Sequence, residues 1–471
     1  MEDLYSKYLA CGGRVTTDSR TIRGGEIFFA LRGENFDGND YALKALEAGA
    51  AWAVVNDDFD CHSRPDRESS GPDCHSRPDR ESSRLIRVPD PLTTLRDLAI
   101  WHRTHVRDGK LPVLGLTGTN GKTTTKNLIA AVLARKFRVT ATQGNLNNDI
   151  GVPLSLLSIT PDTEIAVIEM GANHPDDIAK LVRVSQPDYG LITNVGRAHL
   201  LGFGSFEGVK AAKGELYKWL GTHRGSLIFL NEDDPDLREM AAAQPCHVFG
   251  YGLAYQNAQV LPATPEEPFL RLQLGEDVVA THLVGAYNAT NVLAALAVGE
   301  YFGVPRADAI AAIGDFVPDN NRSQMVRTAS NTLIVDAYNA NPSSMRAALD
   351  NFRQVEAPRK LALLGDMREL GEESLAEHCK VVQQLRGAGL PACLVGEEFH
   401  KALETLGCPG PSSAGSDSPA FPLSSRATSR DLWFPTSEAL AEYLAAHPVS
   451  GTMILVKGSR GIQMEKVLPK L

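Results

Sequence analysis

The feature that most constrains this 471-residue chain is a glycine-rich turn between an apolar stretch and a helical pattern. The apolar residues 113–116 are typical of the end of a buried strand, and residues 126–134 have the spacing of a helix. Gly118 and Gly121 permit the tight backbone that brings amide groups close to a ligand. A strand, a glycine turn and a helix N-terminus in this order form a cradle for phosphate oxygens, because the backbone amides and the helix end both present positive charge.

The same segment supplies the side chains that a nucleoside triphosphate requires. Lys122 is placed to reach the terminal phosphates, and the Thr123 hydroxyl is placed to bind Mg²⁺. The match to the usual phosphate-loop pattern is not strict, because Leu116 stands where the first glycine is expected. An ordinary glycine turn is the alternative, but Gly-Lys-Thr directly after a strand favours nucleotide binding. The predicted nucleotide-binding residues of the loop are Gly118, Thr119, Asn120, Gly121, Lys122, Thr123 and Thr124.

The composition is that of a globular protein with 43% hydrophobic and 22% charged residues, too long for a single core. A net charge of −10 argues against a general affinity for nucleic acid or anionic lipid. No apolar run approaches the roughly 20 residues that cross a bilayer, and the N-terminus lacks the order of a signal peptide. The seven cysteines are dispersed and fit reduced thiols. We therefore expect a soluble cytoplasmic protein without nucleic-acid or integral membrane contact.

Apolar strand patterns alternate with helical patterns along most of the chain, which predicts an α/β protein of three domains. A small α/β domain is expected over residues 1–88. A central domain with a mostly parallel sheet around the phosphate loop is expected over 89–318. A C-terminal Rossmann-like domain is expected over 319–471.

Two stretches lack the apolar residues that a packed core needs. Residues 60–70 recur residue for residue as 73–83, and each copy contains a Cys and a His that admit metal binding. Ser, Arg, Asp, Glu and Pro without apolar residues instead indicate a disordered insertion over 60–83. Residues 409–430, rich in Ser and Pro, are predicted to form a second disordered loop.

Several polar residues lie where a ligand could meet them, but local chemistry leaves their roles open. Glu169 ends a buried strand, where a carboxylate can serve Mg²⁺ directly or through water. His199 follows another strand, although a single histidine is more often a packed or surface residue than a metal ligand. Lys213 by itself is typical of a solvated helix lysine. Residues 17–20 fit a capped turn as well as they fit a ligand contact.

A set of motifs together resembles the ATP-dependent Mur ligases of peptidoglycan synthesis. The motifs are residues 117–124, 144–153, 169–174, 194–205, 211–215, 336–342 and 364–371. Their order and spacing make the resemblance specific, and it extends from about residue 16 to residue 468 outside the two insertions. It implies an ADP-forming C–N ligase of cell-wall biogenesis that joins D-alanyl-D-alanine to UDP-N-acetylmuramoyl-tripeptide through an acyl phosphate.

The resemblance also implies roles for individual residues. Lys122, His199 and Lys213 would be catalytic, with Lys213 carbamylated by CO₂ so that it becomes a carboxylate-like ligand of Mg²⁺. ATP and two Mg²⁺ ions are implied, with the metal residues Thr123, Glu169, His199 and carbamylated Lys213. Further nucleotide contacts are implied for Asn288, Asn291, Arg322 and Asp336. Substrate contacts are implied for Thr17, Asp18, Ser19, Arg20, Asn145, Asn147, Asn339 and Asn341.

Three other functions remain to be weighed. The ligase that adds the third amino acid carries an Asp-Asn-Pro-Arg signature that is absent here. Folylpolyglutamate synthase shares the ATP core but does not account for residues 17–20 and the glycine-rich strand after them. A phosphate-loop ATPase switch would hydrolyse ATP without either substrate. The resemblance favours a monomer and leaves open whether lysine or diaminopimelate is the third residue of the tripeptide.

Overall fold

The computed structural model describes residues 1–34, 36–59, 82–264, 267–318, 322–407 and 431–471. The predicted loop 409–430 and nearly all of the predicted insertion 60–83 lie outside the described residues. The chain forms two compact units. The first comprises Met1–Gly115, Phe137–Gly171 and Ile178–Tyr189, and the second comprises Leu116–Lys136, Ala172–Asp177 and Gly190–Leu471.

The N-terminal part of the first unit is built around a four-stranded parallel sheet. Its elements are α1 (Glu2–Ala10), β1 (Val15–Thr16), β2 (Ile27–Phe29), α2 (Ala42–Glu47), β3 (Trp52–Asn56), β4 (Leu85–Val88) and α3 (Pro91–His105). The strand order is β1-β2-β3-β4, with each neighbour parallel. The start of α3 is determined locally, because the Asp90 carboxylate caps the helix by accepting the amide N–H groups of Leu92 and Thr93. Pro91 is the first helical residue, a position at which proline is tolerated.

Residues 113–315 form a six-stranded sheet with flanking helices and a small antiparallel sheet. The elements up to the last strand of the large sheet are β5 (Val113–Thr117), α4 (Lys122–Leu133), β6 (Val139–Ala141), α5 (Gly151–Leu157), β7 (Ile165–Glu169), α6 (Asp177–Ser185), β8 (Tyr189–Ile192), α7 (Leu200–Phe203), α8 (Phe206–Gly221), β9 (Leu227–Asn231), α9 (Pro235–Ala242) and β10 (His247–Tyr251). They are followed by β11 (Gln259–Leu261), β12 (Arg271–Leu274), β13 (Asp277–Ala280), α10 (Ala289–Tyr301) and α11 (Arg306–Asp315). The large sheet has the order β10-β9-β8-β5-β7-β6. All residues of β5, β7 and β9 are buried, which explains why every residue before the polar last one is apolar or glycine.

The C-terminal residues of the second unit form a second open sheet with helices on both faces. Its elements are β14 (Gln324–Arg327), β15 (Thr332–Asp336), α12 (Pro342–Gln354), β16 (Lys360–Gly365), α13 (Ser374–Gly387), β17 (Ala392–Val395), α14 (Glu397–Thr405), β18 (Asp431–Phe434), α15 (Ser437–Ala446) and β19 (Met453–Lys457). The order is β14-β15-β19-β16-β17-β18, and only β14 is antiparallel to its neighbour among these strands. One core contains side chains of α12, α13 and α14, and the other contains side chains of α15. This layering is that of a Rossmann-like sheet.

The α/β class predicted from the sequence is confirmed, and the predicted strand end at residues 113–116 and the predicted helix over 126–134 correspond to β5 and α4. The strands that were not predicted are β1, β6, β14 and β18, which have only two to four residues. Strands this short and only partly buried show no clear alternation of apolar and polar residues, so periodicity cannot reveal them.

One contact in the C-terminal sheet predicts a large effect on stability. Gly396 has a φ of +112°, and a Cβ there would collide with the Asp366 carboxylate. That carboxylate accepts the amide N–H groups of Glu398 and Phe399, each at 3.0 Å, at the start of α14. We expect Gly396→Ala to lower the free energy of unfolding by ~3 kcal/mol, measured by urea denaturation with circular dichroism.

Gly387→Ala is the matched control, because no heavy atom lies within 4 Å of the position of its Cβ. This substitution is in the last turn of α13 and should change stability by no more than about 0.5 kcal/mol. Equal effects of the two substitutions would contradict the steric argument.

Candidate active site

The phosphate loop joins β5 to α4, and close contacts explain why two of its residues are glycines. Gly118 has a φ of +142°, and a Cβ there would collide with the side chain of Thr193. Gly121 has a φ of +78°, and a Cβ there would lie 2.7 Å from the Asn291 side-chain oxygen. Any other residue at either position would push the loop away from the residues that support it.

Residues 193–196 hold the loop through its backbone. The Thr119 amide donates to the Asn194 carbonyl oxygen at 3.0 Å, and the Asn120 amide donates to Asn194 Oδ1 at 3.0 Å. The Gly196 amide donates to Thr119 Oγ1 at 2.9 Å. The motif 194–205 therefore supports the shape of the loop, a role that its sequence did not indicate.

The side chains of Lys122 and Thr123 lie at the start of α4. Lys122 Nζ donates to the carbonyl oxygens of Gly118 and Thr119, at 2.8 and 3.1 Å, so its ammonium group lies along the loop. Thr123 is 4% exposed. A bound triphosphate would share the Lys122 ammonium group with these carbonyls.

The two asparagines predicted on the adenine side are buried in a hydrogen-bond network. Asn291 Nδ2 donates to Asn288 Oδ1 at 2.8 Å, and Asn291 Oδ1 accepts the Thr125 hydroxyl at 3.0 Å. Asn288 Nδ2 donates to the Val284 carbonyl oxygen at 2.9 Å. This network packs Asn291 against Gly121 of the loop, and the direct nucleotide contact of the two asparagines stays a prediction.

Three cationic or potentially cationic side chains lie within electrostatic range of one another. Lys213 on α8 is 2% exposed, and its Nζ donates to the Ala172 carbonyl oxygen at 3.3 Å. Burial, and then the charge of Lys122, lower the pKa of Lys213 to about 7. Partial burial likewise lowers the pKa of His199, and the charges of Lys122 and Lys213 lower it further. Such a cluster is a site for anions, because like charges in a dry pocket are stabilised by negative charge between them.

His199 has an unexpected partner in Glu369, whose carboxylate bonds to His199 Nδ1. Both residues are in the left-handed region, with φ of +51° and +65°. This conformation costs a residue other than glycine about 1 kcal/mol, and such strain concentrates at functional sites. A metal-bound histidine commonly donates its second ring N–H to a carboxylate. Glu369 therefore suits the role of a positioning residue, because its contact with Nδ1 keeps Nε2 of His199 available to bind Mg²⁺.

The predicted Mg²⁺ residue Glu169 belongs to the first unit, where it is held in place. It is 1% exposed, and its Oε1 accepts from Asn147 Nδ2 at 2.8 Å. Its amide donates to Thr142 Oγ1 at 3.0 Å. Asn147, predicted to contact substrate, thus orients Glu169, while the exposed Asn145 accepts the Asn147 amide through its carbonyl oxygen at 2.8 Å.

The chemistry of the residues predicted to bind Mg²⁺ can be compared, residue by residue, with what this ion requires. Within the described ranges, no group of three or more His, Cys, Asp or Glu side chains is placed to hold a metal ion. Mg²⁺ commonly binds through only one or two protein carboxylates together with substrate phosphates. The Thr123 hydroxyl and the buried Glu169 carboxylate are donors of the hard oxygen type that Mg²⁺ prefers.

The C-terminal sheet contributes a buried ion pair and a stacked arginine. Lys457 is 1% exposed, and its Nζ lies 2.5 Å from Asp336 Oδ2. The Arg322 guanidinium centre lies 3.7 Å from the centroid of the Tyr338 ring. Lys457 was not predicted, although a lysine at the end of the apolar strand β19 was a signal of a buried, paired charge.

Asn341, one of the residues predicted to contact substrate, lies next to the phosphate loop. Its Nδ2 donates to Asn120 Oδ1 at 2.8 Å, and Asn120 Nδ2 donates to Ser343 Oγ at 2.8 Å. Asn341 Oδ1 also caps α12 by accepting the Ser344 amide at 2.9 Å. Asn339 is exposed, and its Oδ1 accepts the amide of the next residue at 2.9 Å.

Residues 17–20 in the first unit form the capped turn that was one of the two interpretations. Asp18 begins the 3-10 helix Ser19–Thr21, and its carboxylate lies 2.8 Å from the Arg20 guanidinium group. Hydrogen bonds from Arg20 lower the pKa of Asp18 to about 2. The Arg20 side chain is 86% exposed, and Thr17 is half-buried. A contact to the UDP-sugar substrate stays a prediction.

A phosphate loop at the end of a mostly parallel sheet, followed by a Rossmann-like sheet, defines a nucleotide-binding α/β protein of several domains. Three segments match models of one family: its catalytic domain over residues 14–100, the Mur ligase middle domain over 116–299 and the Mur ligase glutamate ligase domain over 321–460. The chain belongs to the Mur ligase family. As predicted, it is an ATP-dependent amide ligase with three family domains.

Two named relatives align along nearly the whole chain. The chain is 33% identical over 464 residues to the UDP-N-acetylmuramoyl-tripeptide–D-alanyl-D-alanine ligase of Bacillus subtilis (strain 168), covering 97% of this chain and 92% of that protein. It is 34% identical over 466 residues to the ligase of the same name from Escherichia coli (strain K12), covering 97% and 93%.

Two solved structures show the same fold. MurF from Acinetobacter baumannii matches with a TM-score of 0.76 and 28% identity, covering 97% of this chain and 93% of that one. MurF from Thermotoga maritima in complex with ADP matches with a TM-score of 0.74 and 25% identity, covering 97% and 96%. In the part of the chain that the structure describes, no helix is long and apolar enough to span a membrane.

The contact between His199 and Glu369 leads to a prediction about titration. The Glu369 carboxylate favours the protonated imidazole, so we expect Glu369→Gln to lower the pKa of His199 further below its ordinary value. A histidine-selective NMR titration measures this. Glu373→Gln is the control, because that carboxylate lies 3.1 Å from Arg197 and should leave the His199 titration unchanged. An unchanged pKa in Glu369→Gln would contradict the contact.

Proposed function

We propose that the protein joins D-alanyl-D-alanine to UDP-N-acetylmuramoyl-tripeptide, with cleavage of ATP to ADP and phosphate, in cytoplasmic synthesis of peptidoglycan precursors. The observation that carries the proposal is the cluster of Lys122, His199 and Lys213 beside a phosphate loop. The near full-length similarity to ligases named for this reaction supports it. The predicted domain boundaries and a monomeric state stay part of the proposal.

The chemistry requires that a carboxylate be activated before an amine can attack it. Transfer of the γ-phosphoryl group of ATP to the terminal carboxylate of the tripeptide gives an acyl phosphate and ADP. The neutral amine of the dipeptide then attacks the carbonyl carbon, and phosphate leaves as the amide bond forms and the nitrogen loses a proton. Lys122 neutralises charge on the phosphoryl group during its transfer.

The metal residues of the proposal are Thr123, Glu169, His199 and carbamylated Lys213. Bound Mg²⁺ would supply charge neutralisation on the phosphate oxygens. Asn147 keeps the Glu169 carboxylate oriented, and Glu369 keeps the His199 ring oriented. Each of these partners restricts its neighbour to one geometry before the nucleotide arrives.

Carbamylation of Lys213 follows from the burial of its amine. The ammonium group first loses one proton. The neutral amine then attacks CO₂, a C–N bond forms as one C–O π bond breaks, and the nitrogen releases a second proton, so that overall a cation becomes an anion. Because burial lowers the pKa of this amine to about 7, the reactive neutral form is far more populated near neutral pH than for an exposed lysine. The product carries negative charge beside Lys122 and His199, where a cation is repelled.

The remaining predicted residues keep their proposed roles in this reaction. Nucleotide contacts are proposed for Gly118, Thr119, Asn120, Gly121, Thr124, Asn288, Asn291, Arg322 and Asp336. Contacts to the two other substrates are proposed for Thr17, Asp18, Ser19, Arg20, Asn145, Asn147, Asn339 and Asn341. Exclusion of water from the assembled site would protect the acyl phosphate from hydrolysis.

The release of phosphate tests the proposal directly. We expect release only when ATP, UDP-N-acetylmuramoyl-tripeptide and D-alanyl-D-alanine are all present, with the amide product identified by mass. Separate reactions with the lysine and diaminopimelate tripeptides identify the preferred third residue. Turnover of ATP without either substrate would instead indicate an ATPase switch and would overturn the ligase proposal.

Substitution of Lys213 tests its modification. We expect Lys213→Ala to lower kcat by about 100-fold or more, because a charged group at the transferring phosphate is lost. Added formate or acetate should restore part of the activity by occupying the position of the carbamate.

Lys210→Ala is the matched control, since Lys210 lies three residues earlier on α8 and pairs with Asp236 at 2.8 Å. It should keep nearly full activity and show no response to carboxylates. Absence of rescue in a folded Lys213→Ala variant would count against carbamylation.

A further inference from the structure

A buried histidine of the C-terminal sheet has no role in the site described above. His378 lies in α13 and is 0% exposed, and its ring packs edge-on against Phe399 at a centroid distance of 4.7 Å. A polar ring that is fully buried must be satisfied by specific partners. The partners of His378 therefore show which part of the fold depends on it.

The two ring nitrogens of His378 contact the two ends of the loop between β16 and α13, residues 366–373. Nε2 lies 3.0 Å from the Met367 amide nitrogen at the start of the loop. Nδ1 lies 2.7 Å from the carbonyl oxygen of Ser374, the residue directly after the loop. An amide N–H can only donate, and a carbonyl oxygen can only accept. The ring is therefore neutral with its proton on Nδ1, and it ties the two ends of the loop together.

The surroundings of the ring favour this neutral form. Burial lowers the pKa of His378 below its ordinary value, and the Ser374 carbonyl and the carboxylates of Asp366, Glu398 and Glu377 counteract this only in part. A proton on Nε2 would point at the N–H of the loop, and the contact at the start of the loop would be lost.

The loop reaches the segment that contains His199. The Glu369 carboxylate bonds to His199 Nδ1, and the Leu201 amide donates to the Glu369 carbonyl oxygen at 3.4 Å. Glu373, at the end of the loop, pairs with Arg197 at 3.1 Å. The loop thus contacts this segment through both its backbone and its side chains.

The position of the Glu369 side chain depends on the backbone that precedes it. Glu369 has a φ of +65°, a conformation that a residue other than glycine keeps only where surrounding contacts impose it. Met367, two residues earlier, is 1% exposed, and its amide is held by His378. The Arg368 amide donates in turn to Ser459 Oγ at 2.9 Å. These contacts fix the direction in which the Glu369 side chain leaves the loop.

We propose that His378 is a positioning residue of the active site, whose neutral ring closes the loop 366–373 and thereby holds Glu369 against His199. This inference rests on the proposed ligation reaction and deepens it, because His199 is one of the residues proposed to bind Mg²⁺. A merely structural histidine would change stability alone. A positioning histidine acts on the reaction through Glu369, so its effect disappears once the Glu369 carboxylate is removed.

Two substitutions of His378 separate the contact with the loop from the burial of a polar side chain. Asparagine can place an N–H near the position of Nδ1 but is too short to reach the Met367 amide. Glutamine can place its oxygen near the position of Nε2. We expect His378→Asn to lower kcat by about 10-fold, the scale of losing a group that supports a metal ligand. His378→Gln should keep most of the activity, because its oxygen can accept the Met367 N–H.

A double-mutant cycle shows whether the effect passes through Glu369. We expect Glu369→Gln to lower kcat by about 10-fold as well, and the variant with both substitutions to be no slower than either single variant. Independent effects would multiply to about 100-fold. His447→Asn is the matched control, because His447 Nδ1 also contacts the carbonyl oxygen four residues earlier, at 3.0 Å, but α15 packs in the other core of the sheet. Its kcat should be unchanged.

The ring of His199 provides a readout that does not depend on turnover. At a pH where this ring is neutral, the Glu369 contact favours the tautomer with its proton on Nδ1, and nitrogen-15 NMR of the metal-free protein distinguishes the two tautomers. We expect His378→Asn and Glu369→Gln to shift His199 towards the other tautomer, and His378→Gln and His447→Asn to leave it unchanged. The same spectra report the tautomer of His378 in the unmodified protein, which requires no variant to fold.

The outcomes separate this inference from the proposed function. A multiplied loss in the double variant, an unchanged kcat in a folded His378→Asn variant, or a proton on Nε2 of His378 in the unmodified protein would overturn the inference alone. Absence of ligation by the unmodified protein would overturn the proposed function. The NMR comparison would then still decide whether His378 holds Glu369 against His199, since it requires neither substrate nor metal.

Discussion

The close approach of the phosphate loop to residues 193–196 is the constraint on which the second unit depends. Gly118 lies so near to Thr193 that no side chain fits between them, and the Asn120 carbonyl oxygen accepts from Thr193 Oγ1 at 2.6 Å. The loop amides that turn towards Asn194 fix the remaining backbone of the turn. The cradle is thus preorganised by its own protein neighbours, and a nucleotide need not order it.

Charge is the second constraint, and it explains why so many polar residues near the loop are paired. Lys122, His199 and Lys213 concentrate positive potential in a partly dry region, while most nearby carboxylates are held by a specific partner. A mobile carboxylate in this region would neutralise the cations and weaken binding of phosphate. Lys457, for example, keeps the negative charge of Asp336 at one place.

Much of the fold could be predicted because its strands and helices have strong periodicity. Buried strands such as β5 and β7 are apolar up to their last residue apart from Gly115, and the glycine turn between β5 and α4 permits few other structures. The family could also be predicted, because the order of several motifs is more specific than any one of them. The short strands β1, β6, β14 and β18 could not, since two to four half-buried residues leave no pattern.

The pairing of site residues was not predictable from the sequence. The contact between His199 and Glu369 joins residues 170 positions apart, and neither position has a local pattern that indicates the other. The nucleotide contact of Asn288 and Asn291 stays a prediction, and no local pattern indicated that Asn291 also packs against Gly121 and accepts the Thr125 hydroxyl. The local sequence shows which hydrogen bonds or ion pairs a side chain is able to form. Tertiary packing determines which partner it has in the folded protein.

The pair of hydrogen bonds that Asn120 makes with Asn341 and Ser343 has a mechanical consequence. One side chain on the phosphate loop holds the first turn of α12, and Asn341 also caps that helix. A displacement of the loop is therefore transmitted as strain to the end of a helix thirteen residues long. Binding of a nucleotide at the loop and the position of α12 are therefore coupled through the Asn120 side chain.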